Sequence, residues 1–216
     1  MLITRPNHDM PTNYLYYWSQ ELIDLAKKRG DQVVDLAKKR ANAKEFASVI
    51  KKVQPSLIVL NGHGNSSIVG GYNDEPLIIA GKNDVLLNKA IVYARSCKSG
   101  DKLGPASIKS GCRAYIGYDD DFIFVTEIDK ITRPLEDKTV KFFLEPSNYV
   151  VISLLKGHSA KEADIRSKNL LRQNIQRLVT SAALREESDL VPYLLWNYTH
   201  QVCLGKDQNK HLLNEN

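Results

Sequence analysis

Two residues have both the type and the setting for nucleophilic chemistry. His63 closes an apolar run, Ser56-Leu57-Ile58-Val59-Leu60, followed by Asn61-Gly62-His63-Gly64. Cys97 closes a second run, Ala90-Ile91-Val92-Tyr93-Ala94, followed by Arg95-Ser96-Cys97-Lys98-Ser99-Gly100. A cysteine attacks as its thiolate, yet a free thiol with a pKa of about 8.5 is mostly protonated at neutral pH. An imidazole with a reference pKa of about 6.5 can take that proton and return it to a leaving amine. Attack on an acyl carbon also creates an oxyanion, which needs backbone N–H donors aimed at it. Gly62 and Gly64 let the main chain approach closely, and the amides of Gly64 and Cys97 are the donors expected. A helix starting beyond Ser99-Gly100 would bring the positive end of its dipole towards the sulfur. Neither residue is diagnostic alone, since single cysteines are commonly buried structural thiols.

The elements around them alternate. Residues 13–29 carry Leu15, Trp18, Leu22, Leu25 and Ala26 at three- and four-residue intervals, one apolar helical face that Gly30 ends. Gln32 to Leu36 is a strand candidate, and Phe46, Val49, Ile50 and Val53 repeat the helical spacing before Pro55. The runs before His63 and Cys97 suit strands buried on both faces, as in a parallel sheet. Between them, residues 61–83 form a Gly- and Asn-rich loop or hairpin with short β-like pieces near Ile68 and Leu77. A short helix near residues 103–109 and a strand over 113–117 follow, the latter running into Asp119-Asp120-Asp121. Further on, Pro134 opens one helix, Pro146 a second that Gly157 closes, and Ser159 with Glu162 caps a third. Leu194, Trp196, Tyr198, His200 and Val202 alternate and lean towards a final strand. Strands and helices taking turns predict an α/β fold with helices on both faces of the sheet. Ligands in such folds gather at the carboxyl ends of the strands, where both His63 and Cys97 fall.

Composition is that of an ordinary globular protein: 216 residues, 43% hydrophobic and 25% charged. Thirty Lys and Arg against 25 Asp and Glu leave a net charge of +5, with acids interleaved, so no nucleic-acid groove is expected. The first ten residues do not read as a secretory leader, and no apolar stretch approaches a membrane span. Three cysteines in no metal or redox spacing read as reduced thiols of a cytoplasmic protein, with Cys112 and Cys203 in the core. No metal or cofactor is expected. The Asp119–Asp121 run matches no Ca²⁺ loop pattern, and no P-loop or GxGxxG follows the first strand, which disfavours a nucleotide binder. His8 and His211 are expected at the surface near the termini.

An apolar strand ending in His-Gly, then 34 residues on an apolar strand ending in Cys, resembles the caspase-like cysteine peptidases, which include metacaspases, gingipains and CHAT domains. Gly62-His63-Gly64 resembles the SGHG block of metacaspases, Ser96-Cys97-Lys98-Ser99-Gly100 resembles their DSCHSG block, and GCRAYIG over residues 111–117 is similar to the strand after the cysteine in gingipain- and CHAT-like members. The resemblance implies a caspase-like three-layer sandwich, its mostly parallel sheet of about six strands flanked by helices. On this reading one domain spans residues 1–216, with an α/β core and dyad in 1–125 and a mainly helical part with the last core strand in 126–216. The implied activity is peptide-bond hydrolysis by a His63–Cys97 dyad on a protein or peptide substrate.

The sequence departs from the family in three places: Lys98 stands where metacaspases carry a His after the cysteine, the caspase QACRG block is absent, and position 95 differs. Metacaspases carry an acidic residue two positions before the cysteine, where Arg95 stands here. Arg95 is therefore a candidate partner for an acidic substrate residue, and Asp119, Asp120 and Asp121 are candidates for a basic one, although charge runs usually face water. A different class of reading is a catalytically silent caspase-like interaction module, or an enzyme active only with an activating protein partner.

Overall fold

The computed structural model describes residues 1–180 and 188–205. The first elements are β1 (Leu2–Arg5), α1 (Met10–Trp18), α2 (Gln20–Lys28), β2 (Val34–Ala37), α3 (Ala43–Val53) and β3 (Leu57–Asn61). Three short strands follow, β4 (Gly64–Asn65), β5 (Ile68–Gly70) and β6 (Pro76–Ile79), then β7 (Ile91–Arg95), α4 (Leu103–Lys109) and β8 (Ala114–Tyr118). The chain continues through α5 (Lys138–Leu155), α6 (Ala160–Leu178), α7 (Val191–His200) and β9 (Gln201–Gly205).

The apolar runs assemble into a six-stranded sheet in the order β2-β1-β3-β7-β8-β9. All neighbours are parallel except β9, which runs antiparallel to β8. Because side chains alternate along a strand, each run feeds two cores. Leu57 and Val59, Ile91 and Tyr93, and Ala114 and Ile116 pack against Leu22 and Ala26 of α2, Val150 and Leu154 of α5 and Ala163 of α6. Ile58 and Leu60, Val92 and Ala94, and Tyr115 face Phe46 and Ile50 of α3 and Leu103 of α4. The sheet is thus the middle of three layers. Residues 61–83 fold as an antiparallel three-stranded sheet, β4-β5-β6, whose Val69, Leu77 and Ile78 join the second core. Among the described residues no helix is long and apolar enough to cross a membrane.

Three expectations need correction. The helical face over residues 13–29 is two helices, broken at Ser19, whose hydroxyl donates to the Leu15 carbonyl at 2.5 Å. Pro146 does not separate two helices but lies inside α5. It supplies no N–H to the Phe142 carbonyl one turn back, and Asn174 of α6 donates its side-chain amide there instead, at 2.9 Å. The alternating stretch taken for a final strand is mostly α7. Leu194 and Asn197, three apart, are its buried positions, and only residues from Gln201 on pair with β8.

One buried group ties these parts together. Arg95, at the end of β7, is fully buried. Its guanidinium donates to Asn61 Oδ1 of β3 at 2.7 Å, to Asn148 Oδ1 of α5 at 2.8 Å and to Ser19 Oγ between α1 and α2 at 2.6 Å. Asn61 in turn donates to the Thr4 carbonyl of β1 at 2.6 Å, and Asn148 to the Trp18 carbonyl at 2.8 Å. Burial pushes the Arg95 pKa down, but a guanidinium stays charged in a protein. Arg95→Met, similar in length and apolar, leaves the buried Asn61 and Asn148 side-chain oxygens without their donor, while Ser19 Oγ keeps the one from Asn61. At about 1–3 kcal/mol for each unsatisfied group, it is expected to lower the urea midpoint by an amount equivalent to roughly 2 kcal/mol or more; a midpoint within error of the wild type would contradict this role.

Candidate functional site

The register of β3 and β7 sets the site. Asn61 lies opposite Arg95, so the chain leaves both strands at one level, and His63 and Cys97 each stand two residues further on. Gly62 turns the first segment with φ +151°, where an added Cβ would sit 2.3 Å from the Gly70 carbonyl oxygen. On the second segment Lys98, immediately after the cysteine, adopts a left-handed φ of +58°, which costs a non-glycine residue about 1 kcal/mol. Its N–H donates to the Asp120 carbonyl at 2.9 Å, and its ammonium pairs with the carboxylates of Asp120 and Asp121 at 3.4 and 3.6 Å. These contacts hold the turn that presents Cys97.

His63 and Cys97 line the same cleft, of about 240 Å³. Its remaining wall is largely apolar: Met10, Pro11 and Leu15 from α1, and Phe122, Ile123 and Phe124 from the segment after β8. That segment has no helix or strand of its own. Asn197 of α7 secures it, accepting from the Ile123 N–H at 3.0 Å and donating to the Ile123 carbonyl at 2.6 Å, while Phe122 stacks on Tyr118 at 4.6 Å.

Asp9, which the sequence reading did not single out, completes the arrangement. It is the N-cap of α1, and its Oδ1 accepts from the Thr12 N–H at 2.9 Å and the Thr12 hydroxyl at 2.6 Å. Its other oxygen lies 2.5 Å from His63 Nε2. Burial works against the Asp9 carboxylate, but the bonds from Thr12 and His63 outweigh it and hold its pKa below the ordinary value. With Asp9 on Nε2, the imidazole is oriented and Nδ1 is left as its proton-accepting atom. The available signal was the Asp-x-x-Thr capping pattern ahead of an apolar helical face. That pattern marks a helix start, and says nothing of a histidine 54 residues away.

Cys97 rests as a thiol. Burial pushes its pKa up from the ordinary value and the nearby Asp121 carboxylate adds to this, while Lys98 draws it back. The sulfur lies 4.0 Å from the Phe122 carbonyl oxygen. A helix does follow the cysteine where the sequence places it, α4 starting at Leu103. Gly64 packs against Ser96, so closely that an added Cβ would lie 2.1 Å from Ser96 Oγ.

The charged candidates fall elsewhere. Arg95 borders the cleft, yet its guanidinium is turned inwards and spent on Asn61, Asn148 and Ser19. Its proposed pairing with an acidic substrate residue is therefore corrected: a fully buried, three-fold bonded guanidinium has no free face to offer. None of Asp119, Asp120 and Asp121 lines the cleft. Asp119 instead bonds His200 Nδ1 at 2.7 Å, and the other two hold Lys98. His8 is not at the surface as expected; its side chain is only 10% exposed. His211 lies outside the described residues. Cys112 is buried, its thiol pushed up to about 12 by burial, and Cys203 packs half-buried on the first core. Among the described residues no disulfide joins the three cysteines. Neither models of known protein families nor curated protein sequences match the chain.

Two substitutions separate the parts played by the acids. Asp9→Asn keeps a helix-capping oxygen but removes the charge beside His63. It is expected to slow iodoacetamide alkylation of Cys97, or peptide turnover, by about tenfold or more at nearly unchanged melting temperature; an unchanged rate would leave Asp9 as a cap alone. Asp121→Asn removes a negative charge that favours the thiol. The pH profile of Cys97 alkylation should therefore move to lower pH, and a shift to higher pH would show the sign to be wrong.

Proposed function

We propose that this chain is a cysteine endopeptidase of the caspase-like kind, with Cys97 as nucleophile, His63 as general base and acid, and Asp9 as the group that positions His63. The observation that carries the reading is the level emergence of His63 and Cys97 from adjoining parallel strands into one cleft. The mostly parallel six-stranded sheet with helices on both faces also supports it, because that architecture agrees with what the sequence resemblance implies.

On this reading substrate binding brings the scissile carbonyl to Cys97. The thiol proton passes to His63 as sulfur bonds to carbon, and the carbonyl oxygen becomes an oxyanion. Backbone amides of Cys97 and Gly64 are the donors proposed for it; Gly64 is within their reach because it lies against Ser96. His63 then gives its proton to the leaving amine, and water releases the acyl group by the reverse sequence. Asp9 supports the imidazolium that exists between these transfers, as a carboxylate beside a transient cation does in other triads.

The cleft wall favours an apolar substrate side chain. Met10, Leu15, Phe122, Ile123 and Phe124 offer surface to bury and no charge to pair, and burying a Leu- or Phe-sized group is worth about 1.5–3 kcal/mol. An acidic or basic side chain there would lose its hydration without return. The burial that raises the Cys97 pKa favours a form of this reading in which an activating protein partner or the substrate itself opens access to the sulfur.

A library of fluorogenic peptides varied at the residue before the cut tests the proposal. Cleavage after Leu, Met or Phe is expected, with Cys97→Ala abolishing turnover while circular dichroism stays that of the wild type. Turnover retained in Cys97→Ala would overturn the assignment, and a preference for Asp or for Arg and Lys would overturn the apolar pocket.

A further inference from the structure

His63 has a second neighbourhood besides the cleft. His8, on the connection from β1 to α1, meets it ring edge to ring face, centroids 6.2 Å apart at 68°. Asp74, between β5 and β6, brings Oδ1 to 3.1 Å from His8 Nε2. One ring nitrogen from each histidine and one Asp74 oxygen lie within 4.8 Å of one another. Three segments far apart in sequence converge here, so no spacing motif announces the cluster. His8 is firmly seated: its N–H donates to Thr12 Oγ1 at 3.1 Å, and its ring meets Tyr72 at 5.5 Å. Its Nδ1 is buried without a hydrogen-bond partner among the described residues. A neutral imidazole carries one N–H and one lone pair, so with the proton on Nδ1 the Nε2 beside Asp74 presents its lone pair to a cation.

We propose that His8, His63 and Asp74 bind a zinc ion, and that the bound ion holds the catalytic centre off. Two imidazoles and a carboxylate match the donor set and number that Zn²⁺ accepts, with a fourth position open to water. Calcium and magnesium take oxygen donors, usually six or more, and fit poorly. The exposed Asp74 side chain has room to close the small remaining distance. Asp9 on His63 then plays the part of the carboxylates that commonly orient metal-bound imidazoles. Coordination displaces bound water and any proton on the ligating nitrogens, and no other bond changes. Whichever ring nitrogen of His63 is used, a coordinated imidazole can accept no further proton without releasing the metal, so Cys97 loses its base. The inhibitory consequence rests on the peptidase reading above; the binding itself does not.

The test titrates Zn²⁺ into the purified full chain against a chromophoric chelator. One saturable site is expected in the wild type and, with equal affinity, in Cys97→Ala, which is inactive on the peptidase reading. His8→Ala, His8→Gln and Asp74→Ala should each weaken binding by at least about tenfold, with circular dichroism confirming their fold. Absence of saturable binding, equal affinity in folded His8 variants, or loss of binding in Cys97→Ala would overturn the site. If peptide turnover is measurable, zinc should inhibit it at the binding midpoint, and His8→Gln should keep metal-free turnover while needing at least about tenfold more zinc; turnover unaffected at saturating zinc would overturn the inhibitory part alone.

Discussion

A guanidinium withdrawn from water must have its donors met, and this fold is arranged around that demand at Arg95. A buried charge left without partners costs several kcal/mol. The acceptors that prevent this are neutral and come from three directions: Asn61 on the neighbouring strand, Ser19 at the break between α1 and α2, and Asn148 on α5. Each acceptor is itself committed. Ser19 gives its proton to Leu15, and the two asparagines give theirs to backbone carbonyls of Thr4 and Trp18. The network therefore pins β1, β3 and β7 in relation to α1, α2 and α5 at the level from which the chain runs on to His63 and Cys97. It explains why the break between α1 and α2 falls at a serine, whose hydroxyl takes part in three of these bonds.

Above that layer, polar groups do more than one task. Asp9 uses one oxygen to start α1 and the other to hold His63. The orientation of the imidazole is thereby coupled to the helix that also supplies Met10 and Leu15 to the cleft. Lys98 accepts a strained backbone and in exchange ties the turn at Cys97 to the segment after β8 that carries Asp120 and Asp121. Apolar side chains line the cleft beside His63 and Cys97. Burial of the sulfur raises the Cys97 pKa.

Much of the fold was legible because buried strands and helical faces leave periodic marks. The runs ending at Leu60 and Ala94 read correctly as neighbouring core strands, and with them the shared edge for His63 and Cys97. Errors arose where one local pattern serves two structures. The alternation of Leu194, Trp196 and Tyr198 suits a strand, but Leu194 and Asn197 are also one helical turn apart, and docking against the segment at Ile123 decided for the helix. Pro146 reads as a helix start because it lacks an N–H, yet Asn174 on the next helix satisfies the carbonyl it leaves free. Arg95 reads as a candidate partner for an acidic substrate residue, since nothing local reveals three acceptors waiting in the interior.

Hydrophobic periodicity and residue type are local properties, so the alternating architecture, the histidine and cysteine and their place at strand ends can be read from the chain alone. The groups around them are a product of packing: Asp9 beside His63, Arg95 turned inwards, Phe122 to Phe124 as a wall, and His8 with Asp74 near the imidazole. Those contacts join segments tens of residues apart, and they are set by strand register and layer packing, which no short stretch of chain encodes.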